Sequence, residues 1–183
     1  MRQLHKIKLK HYYKLNKQDQ DSVDLILKEG LKENDVLRIG RKSYKPQSLW
    51  NISYSQMLYL KDNLHNEYFI DCIAIVYGVH SYHLNESLIY NLIAVYKSII
   101  ESLNKVLDIE KTQFDNKTEP DEEKAGIKNF NKYGSYNELR SLTGGDRKQD
   151  EFWLNLPYKD VFIELSYKND LIKFEKELSK AKK

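Results

Sequence analysis

The stretch that decides the fold is ESLIYNLIAVYKSIIESLNKVLDIEK, residues 86–111. Its apolar residues recur at spacings of three and four, which predicts one long amphipathic helix with a broad buried face. Asn85 is the expected N-cap. A coiled coil is the alternative, but the stretch is shorter than four heptads and the face is wider than a dimer seam. We therefore expect a central core helix whose buried face comprises Ile89, Leu92, Ile93, Tyr96, Ile99, Ile100, Leu103, Val106 and Leu107.

Two shorter helices are predicted before this one. Ser53 and Gln56 have the spacing of a capping box, in which each side chain bonds to the other residue's backbone N–H group, and a helix over 54–64 follows. A second helix is expected over 67–77, with Gly78 as its end. Together they predict an antiparallel helical pair.

The C-terminal third is predicted to be helical after a polar break. Residues 111–125 lose the apolar periodicity and gain charge, which indicates a linker. A second capping-box pattern starts at Ser135, and Gly144 and Gly145 should end that helix. Pro157 suits the first position of a closing helix, which carries Val161, Phe162, Leu165, Ile172 and Leu178 and is expected to fray from Ser179.

The N-terminal 45 residues indicate a small α+β element. Lys6 to Tyr12 alternate basic and apolar residues, as a strand does, and a second strand is expected over Val36–Ile39. Between them, residues 22–29 resemble a short helix with Asp21 as its N-cap. The predicted fold is mainly α, a helical bundle around one long central helix with one or two short N-terminal strands. We expect three parts: 1–110 as strand element and helical core, 111–125 as linker, and 126–183 as a helical segment packed on the same core.

The amino-acid composition indicates which class of protein this is. With 40% hydrophobic and 31% charged residues the chain is in the globular range, and its 14 tyrosines must share in packing. Cys72 is the single cysteine and lies in an apolar run, which predicts a buried, inert thiol. Neither a secretory signal nor a membrane-length apolar run is evident. We expect a cytoplasmic protein that has no membrane partner.

Charge is distributed unevenly although the net charge is only +3. Residues 1–17 contain six lysines and arginines and no acid, whereas residues 51–110 contain three lysines and seven acids. A basic segment of this kind could contact nucleic acid or an acidic partner, with tyrosines stacking on bases. The alternative is a solvated edge or tail. The candidate contacts are Lys6, Lys8, Lys10, Tyr12, Tyr13 and Lys14.

Each candidate catalytic, metal-binding or phosphate-binding site lacks one requirement. His80 and His83 have no suitably spaced third metal ligand, and the glycines at 144 and 145 lack the spacing of a phosphate-binding loop. The acids at 119–123 lie in the most polar stretch, where nothing raises a carboxyl pKa. Cys72 lacks an activating neighbour. We therefore expect no catalytic residue, cofactor or metal site, and a protein that is not an enzyme.

Two stretches together carry a family resemblance. They are residues 49–60, LWNISYSQMLYL, and residues 133–167, from YGSYNEL to LPYKDVFIELSY. Their order resembles small helical proteins encoded among the tail and head-to-tail genes of tailed bacteriophages, including tail assembly chaperones. The basic N-terminus departs from the pattern of the chaperones, so a structural component of the virion is an alternative to a chaperone.

The resemblance implies a non-enzymatic role in virion assembly or structure. Other phage structural or tail proteins, and the chain itself, are the implied partners, in the host cytoplasm or in the virion. Nucleic-acid binding by the basic N-terminus is the alternative function.

Overall fold

The computed structural model describes residues 7–21, 34–63, 69–114, 129 and 132–181. The protein is mainly helical, as predicted. The elements in chain order are α1 (Leu9–Tyr12), β1 (Leu37–Ile39), β2 (Lys42–Tyr44), α2 (Tyr54–Asn63), α3 (Phe69–Tyr77), a 3-10 helix (Ser81–Glu86), α4 (Ile89–Phe114), α5 (Ser135–Thr143), a 3-10 turn (Arg147–Gln149), α6 (Asp150–Asn155) and α7 (Tyr158–Ala181).

The chain divides into two compact units. The first comprises the described residues of Met1–Leu49 and Tyr59–Lys105, and the second those of Trp50–Leu58 and Val106–Lys183. None of the helices in the described part of the chain is both long and apolar enough to cross a membrane.

The long helix α4 confirms the prediction from the apolar spacing. Its buried residues are Ile89, Asn91, Leu92, Ala94, Val95, Ile99, Leu103 and Val106. Ile93, Tyr96, Ile100 and Leu107, which were also predicted on the buried face, are only half-buried. The predicted start at Glu86 with Asn85 as N-cap is wrong, because Ser81–Glu86 form a separate 3-10 helix. Backbone hydrogen bonds explain the later start: Leu9 N–H donates to the Ser87 carbonyl (2.9 Å) and Ile89 N–H donates to the Ile7 carbonyl (2.8 Å). These bonds hold residues 87–89 against the N-terminal segment.

The predicted strand Lys6–Tyr12 is also wrong. Lys8 forms one isolated antiparallel bridge with Leu88, and Leu9–Tyr12 then turn into α1. A longer strand would have no partner there, because an antiparallel continuation past Lys8 would have to pair with residues before Ser87, and Ser81–Glu86 form a 3-10 helix.

The second predicted strand is confirmed. β1 pairs with β2 in an antiparallel hairpin, with Leu37 opposite Tyr44 and Ile39 opposite Lys42. Gly40 has φ +59° at the turn, a conformation that glycine adopts without steric cost. The predicted helix over 22–29 lies outside the described residues, and Asp21, its expected N-cap, is already helical.

The two helices predicted before the long one are present as α2 and α3. The capping box at Ser53 forms as expected: Ser53 N–H donates to Gln56 Oε1 (3.0 Å), and Gln56 N–H donates to Ser53 Oγ (3.3 Å). Gly78, with φ +61°, follows the last residue of α3.

Ser53→Ala should lower the free energy of unfolding by about 1 kcal/mol, because it leaves a backbone N–H of the first turn without its acceptor. Ser53→Thr keeps the hydroxyl acceptor and is the matched control. Urea denaturation of both variants checks this. Equal stability of the two variants would contradict the capping role.

The second predicted capping box does not form. The N-cap of α5 is Gly134, which makes no side-chain cap bond. Glu138, the expected partner of Ser135, accepts a hydrogen bond from the Tyr54 hydroxyl instead (2.9 Å). Gly144 ends α5 with φ +57°, as predicted.

The closing helix α7 begins one residue after Pro157 and remains helical to Ala181, so the predicted fraying from Ser179 is wrong. The carbonyls of Trp50 and Ile52 accept hydrogen bonds from Lys159 N–H (2.9 Å) and Tyr158 N–H (2.8 Å). These bonds satisfy donors of the first turn that have no partner within the helix. Residues 111–114 of the predicted linker belong to α4, and residues 115–125 lie outside the described residues.

Candidate interaction surfaces

The basic N-terminal segment carries an ion-pair cluster. Lys8 Nζ lies 2.7 Å from Glu86 Oε2, and Lys10 Nζ lies 2.5 Å from Glu86 Oε1. Lys17 pairs with Asp21 at 3.1 Å. Lys6 lies outside the described residues. Three of the lysines that were counted as a positive patch therefore have carboxylate partners, which reduces the positive potential of the segment.

Hydrogen bonds from Lys10 and Lys8 lower the pKa of Glu86 from 4.5 to about 2. Because the folded-state pKa is below the unfolded value, the pair stabilises the fold above about pH 4.5, and this stabilisation is lost as pH falls towards 2. We expect an NMR titration of the Glu86 carboxyl group to show this low midpoint.

The matched variants for this titration change the lysines. The double variant Lys8→Gln and Lys10→Gln should return the Glu86 midpoint towards its ordinary value, whereas Lys17→Gln should leave it low. Added salt should also raise the Glu86 midpoint towards its ordinary value, because salt screens the interaction of an exposed carboxylate with the two lysines. An unchanged midpoint in the double variant would contradict the assignment.

The two tyrosines of the segment line different cavities. Tyr12 lines an open apolar groove of about 290 Å³ with Phe69, Ile89, Ile93, Tyr96, Lys97 and Ile100. Tyr13 is 57% exposed and borders a cleft of about 350 Å³ that also contains Asp71 and Tyr82. The rings meet edge to face, with centroids 5.7 Å apart, and Lys14 is exposed. The predicted contact residues therefore do not form one continuous stacking surface.

The structure describes the cysteine and the two histidines that were candidates for a catalytic or metal site. Cys72 is buried, as predicted, and burial raises the pKa of its thiol to about 11. The rings of His80 and His83 have centroids 6.2 Å apart. Within the described ranges, no three His, Cys, Asp or Glu side chains are grouped to hold a metal ion.

One surface feature was not predicted from the sequence, an apolar stripe on α7. It consists of Ile163, Tyr167, Leu171, Phe174 and Leu178, whose exposed fractions are 64%, 63%, 41%, 62% and 42%. The successive spacings are four, four, three and four, so the five side chains follow one side of the helix. We call this row the α7 stripe.

The α7 stripe lies on the side of the helix away from its own unit. At about 100° per residue, Val161 and Asn169 lie more than about 110° around the helix from the centre of the stripe. Both are buried, at 0% and 7% exposure. Helix α7 thus has one face packed on its unit and a second apolar face open to solvent.

Polar anchors hold the packed face. Lys168 Nζ donates to the Ser141 carbonyl at the end of α5 (2.7 Å), and Asn169 Nδ2 donates to the Gln113 carbonyl at the end of α4 (3.0 Å). Both bonds satisfy carbonyls that a helix C-terminus leaves open. From Asp170 to Ala181 every residue of α7 is exposed. Gln113 also contacts Asp170 (3.4 Å) and Lys173 (3.5 Å). Residues Phe174 to Ala181 follow these contacts and carry two members of the stripe, Phe174 and Leu178.

The signal for the stripe was present in the sequence. The closing helix has apolar residues on two sides, which is more than a single packed face requires. Which of the two faces would be buried depends on where α4 and α5 end.

Comparisons of the chain with protein-family models, with curated proteins and with solved structures gave no match.

Proposed function

We propose that this chain is a non-enzymatic protein of a tailed bacteriophage that acts in virion assembly or as a component of the tail or head-to-tail region. It would work by protein–protein contacts, in the host cytoplasm or in the virion. The observation that carries the contact mechanism is the exposed α7 stripe. The phage setting is supported by the resemblance of residues 49–60 and 133–167 to phage proteins.

The stripe supports protein contact for a physical reason. The exposure of large apolar side chains to water is unfavourable. A partner that covers them forms a complex that is stabilised by the free energy of their burial. The exposed parts of the five side chains add up to roughly 600 Å², a size at which patches on monomeric proteins are often functional. A row of anchors at spacings of three and four is also how a helix binds in a groove or against another helix.

The experiment combines co-expression with particle analysis. The chain is co-expressed with the tail and head-to-tail proteins of its phage, and purified particles are examined by mass spectrometry. Co-purification with a tail protein together with absence from particles identifies an assembly chaperone, whereas presence in particles identifies a structural component. Failure of both contradicts the proposal.

Matched variants connect the result to the stripe. Leu171→Ser with Phe174→Ser should abolish co-purification, because it removes the apolar contact. Lys173→Gln with Lys176→Gln changes the opposite side of the same turns and should leave co-purification intact. Circular dichroism checks that both variants fold.

Binding of nucleic acid by the N-terminus is the second hypothesis, and the ion pairs of Lys8, Lys10 and Lys17 do not favour it. We expect titrations with duplex DNA and with RNA at low salt to show no salt-dependent binding, because carboxylates hold Lys8, Lys10 and Lys17 and compete with phosphate for them. Tight binding with a steep salt dependence would favour this function over the protein-contact proposal.

A further inference from the structure

The charges of α7 are sorted around the stripe. At about 100° per residue, Asp170, Glu175 and Glu177 lie within about 80° of the centre of the stripe. Lys173, Lys176 and Lys180 lie about 120° or more from it, and all six residues are exposed. The edges of the apolar surface from Asp170 to Leu178 therefore carry acids, one of which, Glu177, lies 3.3 Å from Lys180, and the far side is basic.

This pattern disfavours a second copy of the chain as the occupant. Leu171, Phe174 and Leu178 take the a, d and a positions of a heptad, so Asp170 and Glu177 are g positions and Glu175 is an e position. In a parallel pair of α7 helices, Asp170 would face Glu175 of the other copy. In an antiparallel pair, Asp170 would face Glu177. Both arrangements bring like charges together along the seam, which is destabilising.

Among residues 163–178 of α7, Lys168 is the basic residue nearest to the stripe, at an e position. Its ammonium donates to the Ser141 carbonyl (2.7 Å) and to the Leu142 carbonyl (3.3 Å). It also lies 3.8 Å from Glu164 on its own helix. Because these groups hold it at the end of α5, it offsets little of the acidic charge along Asp170 to Leu178.

We propose that the α7 stripe binds an amphipathic helix of a different protein, whose own apolar stripe is flanked by lysine or arginine. This inference rests on the proposed function, since it names the chemistry of the partner in that protein contact. Acidic edges on α7 and basic edges on the partner place opposite charges across both sides of the seam. From Ile163 to Leu178 the stripe is roughly 22 Å long, so a partner helix of about 16 residues covers it.

The test uses two synthetic helical peptides on the full-length protein. Both have leucine at the a and d positions, and one has lysine at its e and g positions where the other has glutamate. Fluorescence anisotropy should show at least about tenfold tighter binding of the lysine peptide at low salt, and the difference should shrink at high salt.

Variants of the protein assign that preference to the edges of the stripe. The triple variant Asp170→Lys, Glu175→Lys and Glu177→Lys should reverse the preference. Lys173→Gln with Lys176→Gln is the matched control on the far side and should preserve it. Leu171→Ser with Phe174→Ser should abolish binding of both peptides.

The following results would overturn the inference. Equal binding of the two peptides, or binding of neither, removes the basic partner helix. Sedimentation showing a dimer that Phe174→Ser dissociates would assign the stripe to a second copy. These failures are separate from failure of the proposed function, because co-purification with tail proteins is measured without the peptides.

Discussion

Replacement of Tyr158 with alanine is expected to lower the free energy of unfolding by about 4 kcal/mol, the largest effect of any substitution considered for this chain. Tyr158 is 2% exposed at the first turn of α7. Its ring stacks on Trp50, with centroids 5.5 Å apart, and on Tyr54, with centroids 6.2 Å apart. Its hydroxyl donates to the Glu110 carboxylate. Alanine removes these contacts together and leaves a cavity.

Two variants separate the contributions of the ring and the hydroxyl. Tyr158→Phe keeps the stack and removes only the donor to Glu110, so it should cost about 1 to 2 kcal/mol. Tyr167→Ala removes a tyrosine of the same helix that is 63% exposed, and it should change stability by less than about 0.5 kcal/mol. Urea denaturation followed by tryptophan fluorescence provides the measurement. Equal costs for Tyr158→Ala and Tyr167→Ala would contradict the packing.

Asn91→Ala should cost about 3 kcal/mol, because Asn91 connects α4 to the hairpin. Its side chain is in the interior, at 2% exposure. Its Oδ1 accepts from Arg38 N–H at 2.7 Å, and its Nδ2 donates to the Val36 carbonyl at 2.9 Å. Alanine leaves two backbone groups without these partners, and each such loss costs about 1 to 3 kcal/mol.

Amide exchange and stability together test the role of Asn91. The Arg38 amide should lose its protection from exchange in Asn91→Ala and keep it in Asn91→Asp, which retains the acceptor. Asn91→Asp should still be less stable than wild type, because its carboxylate would be buried against the Val36 carbonyl. Asn104→Ala, at an exposed position of the same helix, is the control and should change stability by less than about 0.5 kcal/mol. Full protection of the Arg38 amide in Asn91→Ala would contradict the role.

Local rules predicted the elements whose residues interact within one element. The spacing from Ile89 to Val106 predicted α4, and Ser53 with Gln56 predicted the start of α2, because a helix period and a capping box are each determined within a few residues. Gly144 ended α5 for the same reason.

The wrong predictions involve partners that are distant in sequence. Whether Lys8 starts a strand depends on Leu88, eighty residues later, which offers one bridge before α4 begins. The capping box at Ser135 is absent because Glu138 is bonded to Tyr54, 84 positions away in sequence. A period-two pattern or a capping signature contains no information about such partners.

The same limit applies to the candidate surfaces. A count of lysines in residues 1–17 suggested a positive patch, but Glu86, far away in sequence, pairs with two of them. The α7 stripe was missed because its exposure is set by where Lys168 and Asn169 anchor the helix to the ends of α5 and α4. The sequence shows that α7 has two apolar faces, and the structure shows which one is open.

Photocrosslinking from the α7 stripe most directly tests the claim that this protein acts through it. A photoreactive phenylalanine analogue is placed at position 174, on the stripe, or at position 176, on the far side, in cells that express the full set of phage assembly proteins. We expect a discrete crosslink to one phage protein from position 174 and none from position 176. Crosslinks of equal yield from both positions, or none from position 174, would contradict it.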